Sequence, residues 1–273
     1  MDKIIINNLE VFANHGVFPE ENSLGQKFII SAVLYVDTRG AGLTDDLTQS
    51  VHYGEVCNLI SKVTRENTFM LIERLAEVIA EEVLLTYDKI DEIDIEVKKP
   101  WAPIAQTLDY VAVSINRKWH TAYIGLGSNM GNKENNLKLA CDRIAENHKC
   151  RLIKVSDFIV TEPVGGVEQD DFLNGAVCIE TLYTPEELLD FTASIEAEAK
   201  RERIVHWGPR TLDLDILFYD DVIMHTDSLT VPHKELHKRL FVLEPMSGIA
   251  PYFCHPIYRR TMSDMFEELK KRD

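Results

Sequence analysis

Two carboxylates and a cation lie close together in the segment from Trp207 to Asp221. Asp213 and Asp215 are two residues apart, and Arg210 precedes them directly after a Gly-Pro turn. Residues two apart on a β-strand point to the same face, so the two carboxylates would lie side by side. Neighbouring anions repel each other unless a cation separates them. The pattern therefore predicts a site for a divalent cation, Mg²⁺, and for the phosphates that such a cation and an arginine bind.

The alternative for the same strand is a half-buried element whose aspartates only face water. In either case Leu212, Leu214 and Ile216 would turn to the opposite face and anchor it. Basic side chains cluster on both sides of the strand: Lys200, Arg201, Arg203 and Arg210 before it, and His233, Lys234, His237, Lys238 and Arg239 after it. Such clusters around paired carboxylates indicate a polyphosphate substrate with its metal.

The composition of the whole chain limits the classes of function. A formal net charge of −16 disfavours binding to nucleic acids and to anionic membranes. The five cysteines are scattered and form no CxxC pair, which is typical of reduced thiols in a cytoplasmic protein. No apolar run approaches the length of a membrane span. A chain of 273 residues is long for one core, and two domains are expected, at 1–119 and 120–273.

The elements that would position these residues follow from hydrophobic periodicity. In the first half, strands are expected at about 3–12, 26–37, 93–97 and 111–115, with helices at about 53–66 and 71–87 and a loop at 14–25. The order strand, strand, helix, helix, strand, strand predicts an α+β domain, an antiparallel sheet covered by a helix pair.

The second half begins again with a strand near Thr121. A helix follows to about 147, then strands at about 151–161 and 172–182. Thr184-Pro-Glu-Glu187 is a capping box with proline at the first helical position, so a helix begins there. The strand with Asp213 and Asp215 comes next, before a proline-broken tail. This βαββαβ order predicts a ferredoxin-like core.

The second half resembles the 6-hydroxymethyl-7,8-dihydropterin pyrophosphokinases. Three segments carry the resemblance: Gly125-Leu-Gly-Ser-Asn-Met-Gly131, Trp207-Gly-Pro-Arg-Thr-Leu-Asp-Leu-Asp-Ile216 and Leu229-Thr-Val-Pro-His233. The resemblance implies that a pyrophosphoryl group moves from the co-substrate ATP to the hydroxymethyl group of a reduced pterin, with release of AMP.

The same resemblance assigns roles to individual residues. It places Mg²⁺ on Asp213 and Asp215, and phosphate contacts on Arg201 and Arg210. The implied pterin pocket consists of Thr161, Pro163, Val164, Phe172 and Asn174. The implied nucleotide contacts are Glu196, Arg203, Trp207, Ile216, Thr230, His233 and Arg239.

Three residues of the first half could do chemistry. Glu73 lies at an apolar helix start, where an unpaired buried carboxylate would be costly. Lys99 ends an alternating strand, and a lysine partly withdrawn from water can move protons near neutrality. Tyr53 opens a helix, whose N-terminus favours an anion. The alternative for Glu73 and Lys99 is that both simply face solvent.

The first half resembles the dihydroneopterin aldolases. The matching segments are Glu21-Asn-Ser-Leu-Gly-Gln26, Val51-His-Tyr-Gly-Glu55, Leu71-Ile-Glu-Arg-Leu-Ala76 and Lys98-Lys-Pro100. The resemblance implies a tunnelling-type fold, no metal or cofactor, and a homo-oligomer with sites between subunits. It implies that Lys99 transfers protons without a Schiff base, assisted by Tyr53. Glu73 and the Ile72 backbone would anchor the pterin ring, and Glu21 would also bind substrate.

Three other functions compete with this interpretation. The paired aspartates could belong to a metal-dependent phosphodiesterase or nuclease, which the net charge disfavours. Residues 1–118 could be a non-catalytic assembly module for the pyrophosphokinase. They could also resemble metal-dependent pterin enzymes of the same fold, but these need a His or Cys cluster, and the segment offers only His15, His52 and Cys57.

Overall fold

The structure is a computed structural model that describes residues 2–163, 169–199 and 210–272. It divides into two units, Met1–Trp119 and His120–Asp273. Both combine an antiparallel sheet with helices, so the predicted two-domain α+β class is confirmed. In the part of the sequence that is described, no helix is both long and apolar enough to cross a membrane.

The first unit is built on a four-stranded sheet. Its strands run in the antiparallel order β1 (Asp2–Ala13), β2 (Gln26–Val36), β3 (Glu92–Lys99) and β4 (Val111–Lys118). The helices are α1 (Pro19–Leu24), α2 (Arg39–Thr44), α3 (Tyr53–Glu66) and α4 (Ile72–Thr86). The long helices α3 and α4 connect β2 to β3, in the order that the periodicity predicts.

Alternation along β2 builds the core of this unit. Phe28, Ile30 and Leu34 share one face of the strand and are fully buried. Helices α3 and α4 contact each other and the sheet, and contribute buried residues such as Ile60 and Ile79. Burial of aliphatic and aromatic side chains of this size stabilises the unit by about 1.5–3 kcal/mol for each residue.

The expected loop at 14–25 contains one element that the sequence reading did not predict. Helix α1 begins at Pro19, whose fixed φ suits the first helical position. The Phe18 N–H donates to Glu21 Oε2 at 3.1 Å, which caps the first turn. This short helix therefore fixes the position of Glu21 shortly before β2.

The second unit is built on a five-stranded sheet. Its strands are β5 (His120–Ser128), β6 (Cys150–Val155), β7 (Ile159–Thr161), β8 (Phe172–Thr181) and β9 (Asp213–Tyr219). The order is β6-β8-β5-β9, all antiparallel, with β7 also paired to β8. A separate two-stranded ladder joins β10 (Met224–His225) and β11 (Thr230–Val231). The helices are α5 (Lys133–Glu146), α6 (Pro185–Glu198), α7 (Leu240–Ile249) and α8 (Met262–Lys270).

The prediction of one strand over 151–161 is wrong, because the strand breaks at Ser156 into β6 and β7. The Ser156 N–H donates to the Ala176 carbonyl, and the Ala176 N–H donates to Ser156 Oγ, each at 2.9 Å. The Phe158 ring then lies against Gly175, where a Cβ would come within 2.7 Å of it. This break moves Thr161 to the end of β8 that borders the pocket described below.

Helices cover both faces of this sheet. The core on one face includes buried residues of α5 and α6, such as Leu137 and Leu188. The core on the other face includes Leu243 and Met246 of α7 and Met262 of α8. The proline-broken tail expected from the sequence thus contains two packed helices. Pro245 lies inside α7, where the buried apolar residues around it outweigh its lost hydrogen bond. The predicted capping box at Thr184 is confirmed, with Glu187 as its partner.

Candidate active sites

The paired carboxylates lie at the start of the edge strand β9. Asp213 is opposite Gly127 of β5, and Asp215 is opposite Gly125. Both aspartates line one pocket. Leu212, Leu214 and Ile216, at most 5% exposed, belong to the core on the other face. The alternation predicted from the sequence is thus confirmed for this strand.

Glycines on the neighbouring strand keep the space over the aspartates open. A Cβ at Gly127 would lie 3.2 Å from Asn174 Oδ1 and 3.8 Å from Asp213 Cβ. A Cβ at Gly125 would lie 3.3 Å from Leu217 Cδ2. Since these residues all line the pocket, a side chain at either glycine would press on its wall.

The site carries negative charge that the nearby cations compensate only in part. Burial raises the pKa of the Asp215 carboxyl, and the charge of Asp213 raises it further. The charges of His233, Arg239 and Arg210 act in the opposite direction but do not cancel this rise. Burial lowers the pKa of His233 although Asp215 opposes the shift. The Arg210 guanidinium forms an ion pair with Asp213 Oδ2. An added cation between the carboxylates would therefore be favoured.

The donor set suits Mg²⁺ rather than a metal enclosed by protein ligands. Within residues 2–163, 169–199 and 210–272, no three His, Cys, Asp or Glu side chains come together as a metal site. Two carboxylates on one face supply part of an oxygen coordination shell. Mg²⁺ commonly takes its remaining ligands from water and substrate phosphates. Asp213 and Asp215 therefore fit a metal that arrives with a polyphosphate.

The pocket above these aspartates measures about 820 Å³, including its open mouth. It brings together many of the residues predicted from the sequence, namely Thr161, Phe172, Asn174, Arg210, Asp213, Asp215 and Arg239. Asn174 is 6% exposed, and its Nδ2 donates to Thr161 Oγ1 at 2.7 Å. One wall is thus polar and held in place by hydrogen bonds.

Phe241 also lines the pocket, and the sequence reading did not identify it. It follows Arg239 by two residues, and the Arg239 guanidinium lies 5.7 Å from its ring centroid. Among the described residues, two aromatic rings therefore line the pocket, from Phe172 on β8 and Phe241 on α7. In the sequence, Phe241 could have been identified from its position just after the second basic cluster.

Several predicted residues lie elsewhere in the second unit. Glu196 is 8% exposed and accepts a hydrogen bond from the Leu214 N–H at 2.8 Å, so it supports β9 from the helix side. Ile216 lies in the core. Thr230 Oγ1 lies 2.7 Å from His225 Nδ1 in the two-stranded ladder. None of Glu196, Ile216, Thr230, Pro163 and His233 is among the residues that line the described pocket. Val164, Arg201, Arg203 and Trp207 lie outside the described residues.

Asn129 connects three segments around the pocket. The sequence alone did not predict a role for this residue. Its Oδ1 accepts from the Arg210 N–H at 2.7 Å, and its own N–H donates to the Arg210 carbonyl at 3.1 Å. Its Nδ2 donates to Gln169 Oε1 and to the Asp170 carbonyl, at 3.0 and 3.2 Å. This buried amide therefore fixes the segments that precede β8 and β9 to the end of β5.

In the first unit, the structure pairs two of the predicted residues. Lys99 Nζ lies 2.5 Å from Glu21 Oε1, and the two side chains are only 12% and 8% exposed. Burial alone would raise the pKa of the Glu21 carboxyl. Hydrogen bonds from Lys99, the Phe18 N–H and Gln26 outweigh it and hold that pKa below its ordinary value. The solvent-facing alternative is therefore wrong for Lys99.

Gln26, the last residue of the motif that begins at Glu21, contacts this pair. Its Nε2 donates to Glu21 Oε1 at 2.9 Å. Its Oε1 is buried and has no hydrogen-bond partner among the described residues. An unsatisfied buried carbonyl is unfavourable by about 1–3 kcal/mol, so this oxygen suits a donor group on a ligand.

The remaining predicted residues of the first unit are less enclosed. Tyr53 is 64% exposed at the start of α3. Glu73 is exposed in the first turn of α4, as the solvent-facing alternative expects, and Ile72 is half-buried. In this single chain, Tyr53 and Glu73 are open to solvent, whereas the Lys99–Glu21 pair is enclosed.

The candidate metal ligands of the first unit have other roles. His15 is fully buried, and both of its ring nitrogens make hydrogen bonds to the backbone. His52 Nδ1 accepts from the Glu55 N–H at 3.3 Å and caps α3. Burial raises the pKa of the Cys57 thiol, which disfavours the thiolate that binds metals. Because His15, His52 and Cys57 have these other roles, the metal-dependent alternative for the first unit is disfavoured.

Comparison with known families gives one match for each unit. The family model described as 7,8-dihydro-6-hydroxymethylpterin-pyrophosphokinase matches residues 123–251, and the dihydroneopterin aldolase model matches residues 4–116. A 2-amino-4-hydroxy-6-hydroxymethyldihydropteridine pyrophosphokinase of Bacillus subtilis is 46% identical over 47% of this chain and 77% of its own length.

Longer relatives match as well. The "Folic acid synthesis protein FOL1" of Dictyostelium discoideum is 31% identical over 97% of this chain. The "Bifunctional protein FolKE" of Lactococcus lactis is 48% identical over 46% of this chain. The protein spans 44% and 36% of the lengths of these two relatives, respectively. The crystal structure of E. coli dihydroneopterin aldolase in complex with neopterin is 28% identical over 43% of this chain and 99% of that chain, with a TM-score of 0.41.

Proposed function

Because the chain belongs to the 7,8-dihydro-6-hydroxymethylpterin-pyrophosphokinase family and also matches the dihydroneopterin aldolases over residues 4–116, we propose that it catalyses two consecutive steps of tetrahydrofolate biosynthesis. The first unit cleaves 7,8-dihydroneopterin to glycolaldehyde and 6-hydroxymethyl-7,8-dihydropterin. The second unit transfers a pyrophosphoryl group from ATP to the new hydroxymethyl group. The product of one unit is thus the substrate of the other.

The observation that carries the second activity is the pair Asp213 and Asp215 in the same pocket as Phe172, Asn174 and Arg210. The hydroxymethyl oxygen attacks the β-phosphorus of ATP and loses its proton. The new O–P bond replaces the bond to the α-phosphate, and AMP leaves. Asp213 and Asp215 would hold Mg²⁺, which would supply positive charge to the triphosphate. Arg210 lies on the same wall, where its planar guanidinium can bind phosphate oxygens.

The pterin is proposed to bind against the aromatic residues of this pocket. Phe172 and Phe241 offer ring faces on which a flat heterocycle can stack. Asn174 can accept and donate hydrogen bonds on the edge of the ring. Thr161 holds that amide in place through its 2.7 Å hydrogen bond. The proposed role of Pro163 and Val164 is to extend this wall.

The roles proposed for the other second-unit residues follow the resemblance. Arg201, Arg203 and Trp207 belong to the segment before Arg210 and would contact the phosphates and nucleotide. Arg239 lines the pocket and supports the same role. Ile216 lies in β9, and Glu196, Thr230 and His233 belong to segments that contact this strand. We propose that these four residues support the strand or the adenosine site.

The observation that carries the aldolase activity is the buried Lys99–Glu21 ion pair. In the proposed retro-aldol step, the substrate hydroxyl loses a proton, and a carbon–carbon bond of the pterin substituent breaks. The electron pair of that bond moves into the pterin ring system, glycolaldehyde leaves, and the carbon that stays on the ring then takes up a proton. Lys99 transfers these protons in this proposal, with Glu21 as its partner. The unpartnered Gln26 Oε1 suits a substrate hydroxyl or a bound water.

We propose that a second copy of the protein completes this site. Glu73, the proposed anchor for the pterin amino group and ring N–H, is exposed, and so is Tyr53. Large apolar side chains are also exposed: Phe18 and Leu24 at the ends of the helix that carries Glu21, and Met70 and Leu71 just before Glu73. Exposed apolar side chains that surround proposed functional groups indicate a contact surface. This supports a homo-oligomer formed through the first unit.

Finer points of fold and environment are also proposals. The boundary at Trp119 is taken to separate the aldolase from the pyrophosphokinase, with a tunnelling-type fold before it. The antiparallel order β6-β8-β5-β9 supports a ferredoxin-like second unit. The five cysteines are free, which supports a cytoplasmic location. The net charge of −16 supports small-molecule substrates rather than nucleic acids as ligands.

One assay tests both activities. The protein is mixed with 7,8-dihydroneopterin, ATP and Mg²⁺, and glycolaldehyde and AMP are measured separately. We expect glycolaldehyde to form first and AMP to follow. The protein could instead form AMP from supplied 6-hydroxymethyl-7,8-dihydropterin and release no glycolaldehyde from dihydroneopterin. That result would favour the alternative in which the first unit is a non-catalytic assembly module.

A further inference from the structure

His15 lies in the core of the first unit with a defined protonation state. Its side chain is fully buried. Nδ1 lies 3.0 Å from the Phe69 N–H, and Nε2 lies 2.8 Å from the Thr64 carbonyl. A backbone N–H can only donate and a carbonyl can only accept. The imidazole is therefore neutral, with its proton on Nε2. Burial also lowers the pKa of His15, in agreement with this state.

This imidazole joins two segments that are far apart in the sequence. One is the segment around His15 and Gly16, which leads into α1. The other is the segment 67–71, which leads into α4. A second hydrogen bond links the same segments, from the Gly16 N–H to the Phe69 carbonyl at 2.9 Å. The His15 and Phe69 rings stack at 5.5 Å with an interplanar angle of 5°.

Each of these segments carries a residue of the proposed aldolase site. On one side, Gly16 packs so tightly against the Glu21 carboxylate that a side chain at residue 16 would clash with it. Asn22 Nδ2 further ties this turn together through the Gly16 and Phe18 carbonyls, at 3.2 and 3.0 Å. On the other side, the segment that ends at Leu71 runs directly into Ile72 and Glu73 at the start of α4.

From this geometry we infer that His15 is a positioning residue for the aldolase reaction: it sets the distance between the segment that carries Glu21 and the segment that carries Glu73. The inference rests on the function proposed above. Glu73 anchors the pterin ring, whereas the Glu21–Lys99 pair acts on its side chain. Both must therefore keep a fixed separation for proton transfer. His15 itself touches neither substrate nor reacting atoms.

This role predicts a particular kinetic signature. Loss of the His15 hydrogen bonds leaves Glu73 in place on its own segment. Glu73 therefore still binds the ring, and KM changes little. The side chain of the bound substrate is then misplaced relative to Lys99. A misplacement of about 1 Å can lower a rate by about 100-fold. The loss should therefore fall on kcat for glycolaldehyde release.

The test uses the full-length protein with three substitutions. His15→Phe keeps an aromatic ring and removes both hydrogen bonds. His15→Asn keeps an acceptor near the position of Nδ1 and should retain part of the link to the Phe69 N–H. Ile60→Val is the matched control, since Ile60 is also fully buried in this unit, and the substitution keeps the backbone carbonyl that accepts from Thr64 Oγ1. AMP formation from supplied 6-hydroxymethyl-7,8-dihydropterin reports the amount of protein with an active second unit in every sample.

We expect His15→Phe to lower kcat for glycolaldehyde release about 100-fold with little change in KM. His15→Asn should recover part of the loss, and Ile60→Val should behave like the parent. Hydrogen exchange at the Phe69 amide should accelerate in His15→Phe and less in His15→Asn. A parent-like kcat in His15→Phe would overturn the inference while leaving the aldolase intact. So would equal loss in both His15 variants, including failure of both to fold. A parent protein that releases no glycolaldehyde would overturn the proposed function itself.

Discussion

The Nζ atom of Lys99 lies 2.5 Å from Oε1 of Glu21, although the two residues belong to different elements. The pair is largely withdrawn from water and is closed on one side by Gln26. Breaking a buried ion pair by removal of one partner leaves the other charge uncompensated. The arrangement thus keeps a proton donor and a proton acceptor together beside an unsatisfied carbonyl oxygen.

Replacement of Lys99 by alanine should abolish most aldolase activity and spare the pyrophosphokinase. Loss of a general acid–base group lowers a rate by about 10²–10⁴-fold. Glycolaldehyde release should fall within this range, and AMP formation from supplied 6-hydroxymethyl-7,8-dihydropterin should not change. Lys98→Ala is the matched control, because Lys98 pairs with Glu96 rather than Glu21. Undiminished glycolaldehyde release in Lys99→Ala would remove the basis for the aldolase assignment.

Asp215→Asn should lower the pyrophosphokinase activity and spare the aldolase activity. The amide keeps the size of the side chain but removes one of two anionic oxygen ligands beside Asp213. Metal-assisted charge stabilisation amounts to several kcal/mol, so AMP formation should fall by about 10³-fold or more, with glycolaldehyde release unaffected. Chelation of Mg²⁺ in the parent should give the same pattern. Asp221→Asn, an exposed position shortly after the same strand, serves as the control. AMP formation that survives both treatments would contradict the proposed metal site.

Much of the fold and part of each site could be predicted from local sequence patterns. The alternation around Asp213 and Asp215 determines which face they share, and it holds because Leu212, Leu214 and Ile216 are buried on the opposite face. Hydrophobic periodicity likewise located the long helices and most strands. These features depend on neighbours in the sequence, so a local pattern contains the information.

The contributions of Asn129, Phe241 and Gln26 could not be predicted in this way. Each depends on a partner distant in sequence: Asn129 on Arg210, Phe241 on the other residues that line the pocket, and Gln26 on the Lys99–Glu21 pair. The break at Ser156 has the same origin, because it follows from hydrogen bonds to Ala176 on another strand. Tertiary contacts of this kind leave no periodic signal in the sequence.

Removal of the Asn129 side chain should slow the pyrophosphokinase without removing any group that contacts phosphate. Asn129→Ala leaves the Arg210 N–H without its side-chain acceptor and frees the segment at Gln169 and Asp170. An unsatisfied buried group is unfavourable by about 1–3 kcal/mol, so kcat/KM for AMP formation should fall by about 10–100-fold. Asn147→Ala, which removes a hydrogen bond to Tyr183 instead, is the control. Equal rates in the two variants would show that Asn129 does not order the site.

The buried His255 should make the second unit less stable as the pH falls. Burial, followed by the charge of His237, lowers the pKa of His255 to about 4. Its Nδ1 accepts from the Ile257 and Tyr258 N–H groups, at 3.2 and 3.4 Å, which requires the neutral ring. The unfolded protein takes up this proton near pH 6.5, whereas the folded protein does so only near pH 4. The free energy of unfolding should therefore decrease between these values, by up to about 3 kcal/mol. Urea unfolding of the parent and of His255→Gln at pH 7 and pH 5 measures this, and the same pH dependence in both proteins would rule out His255 as its source.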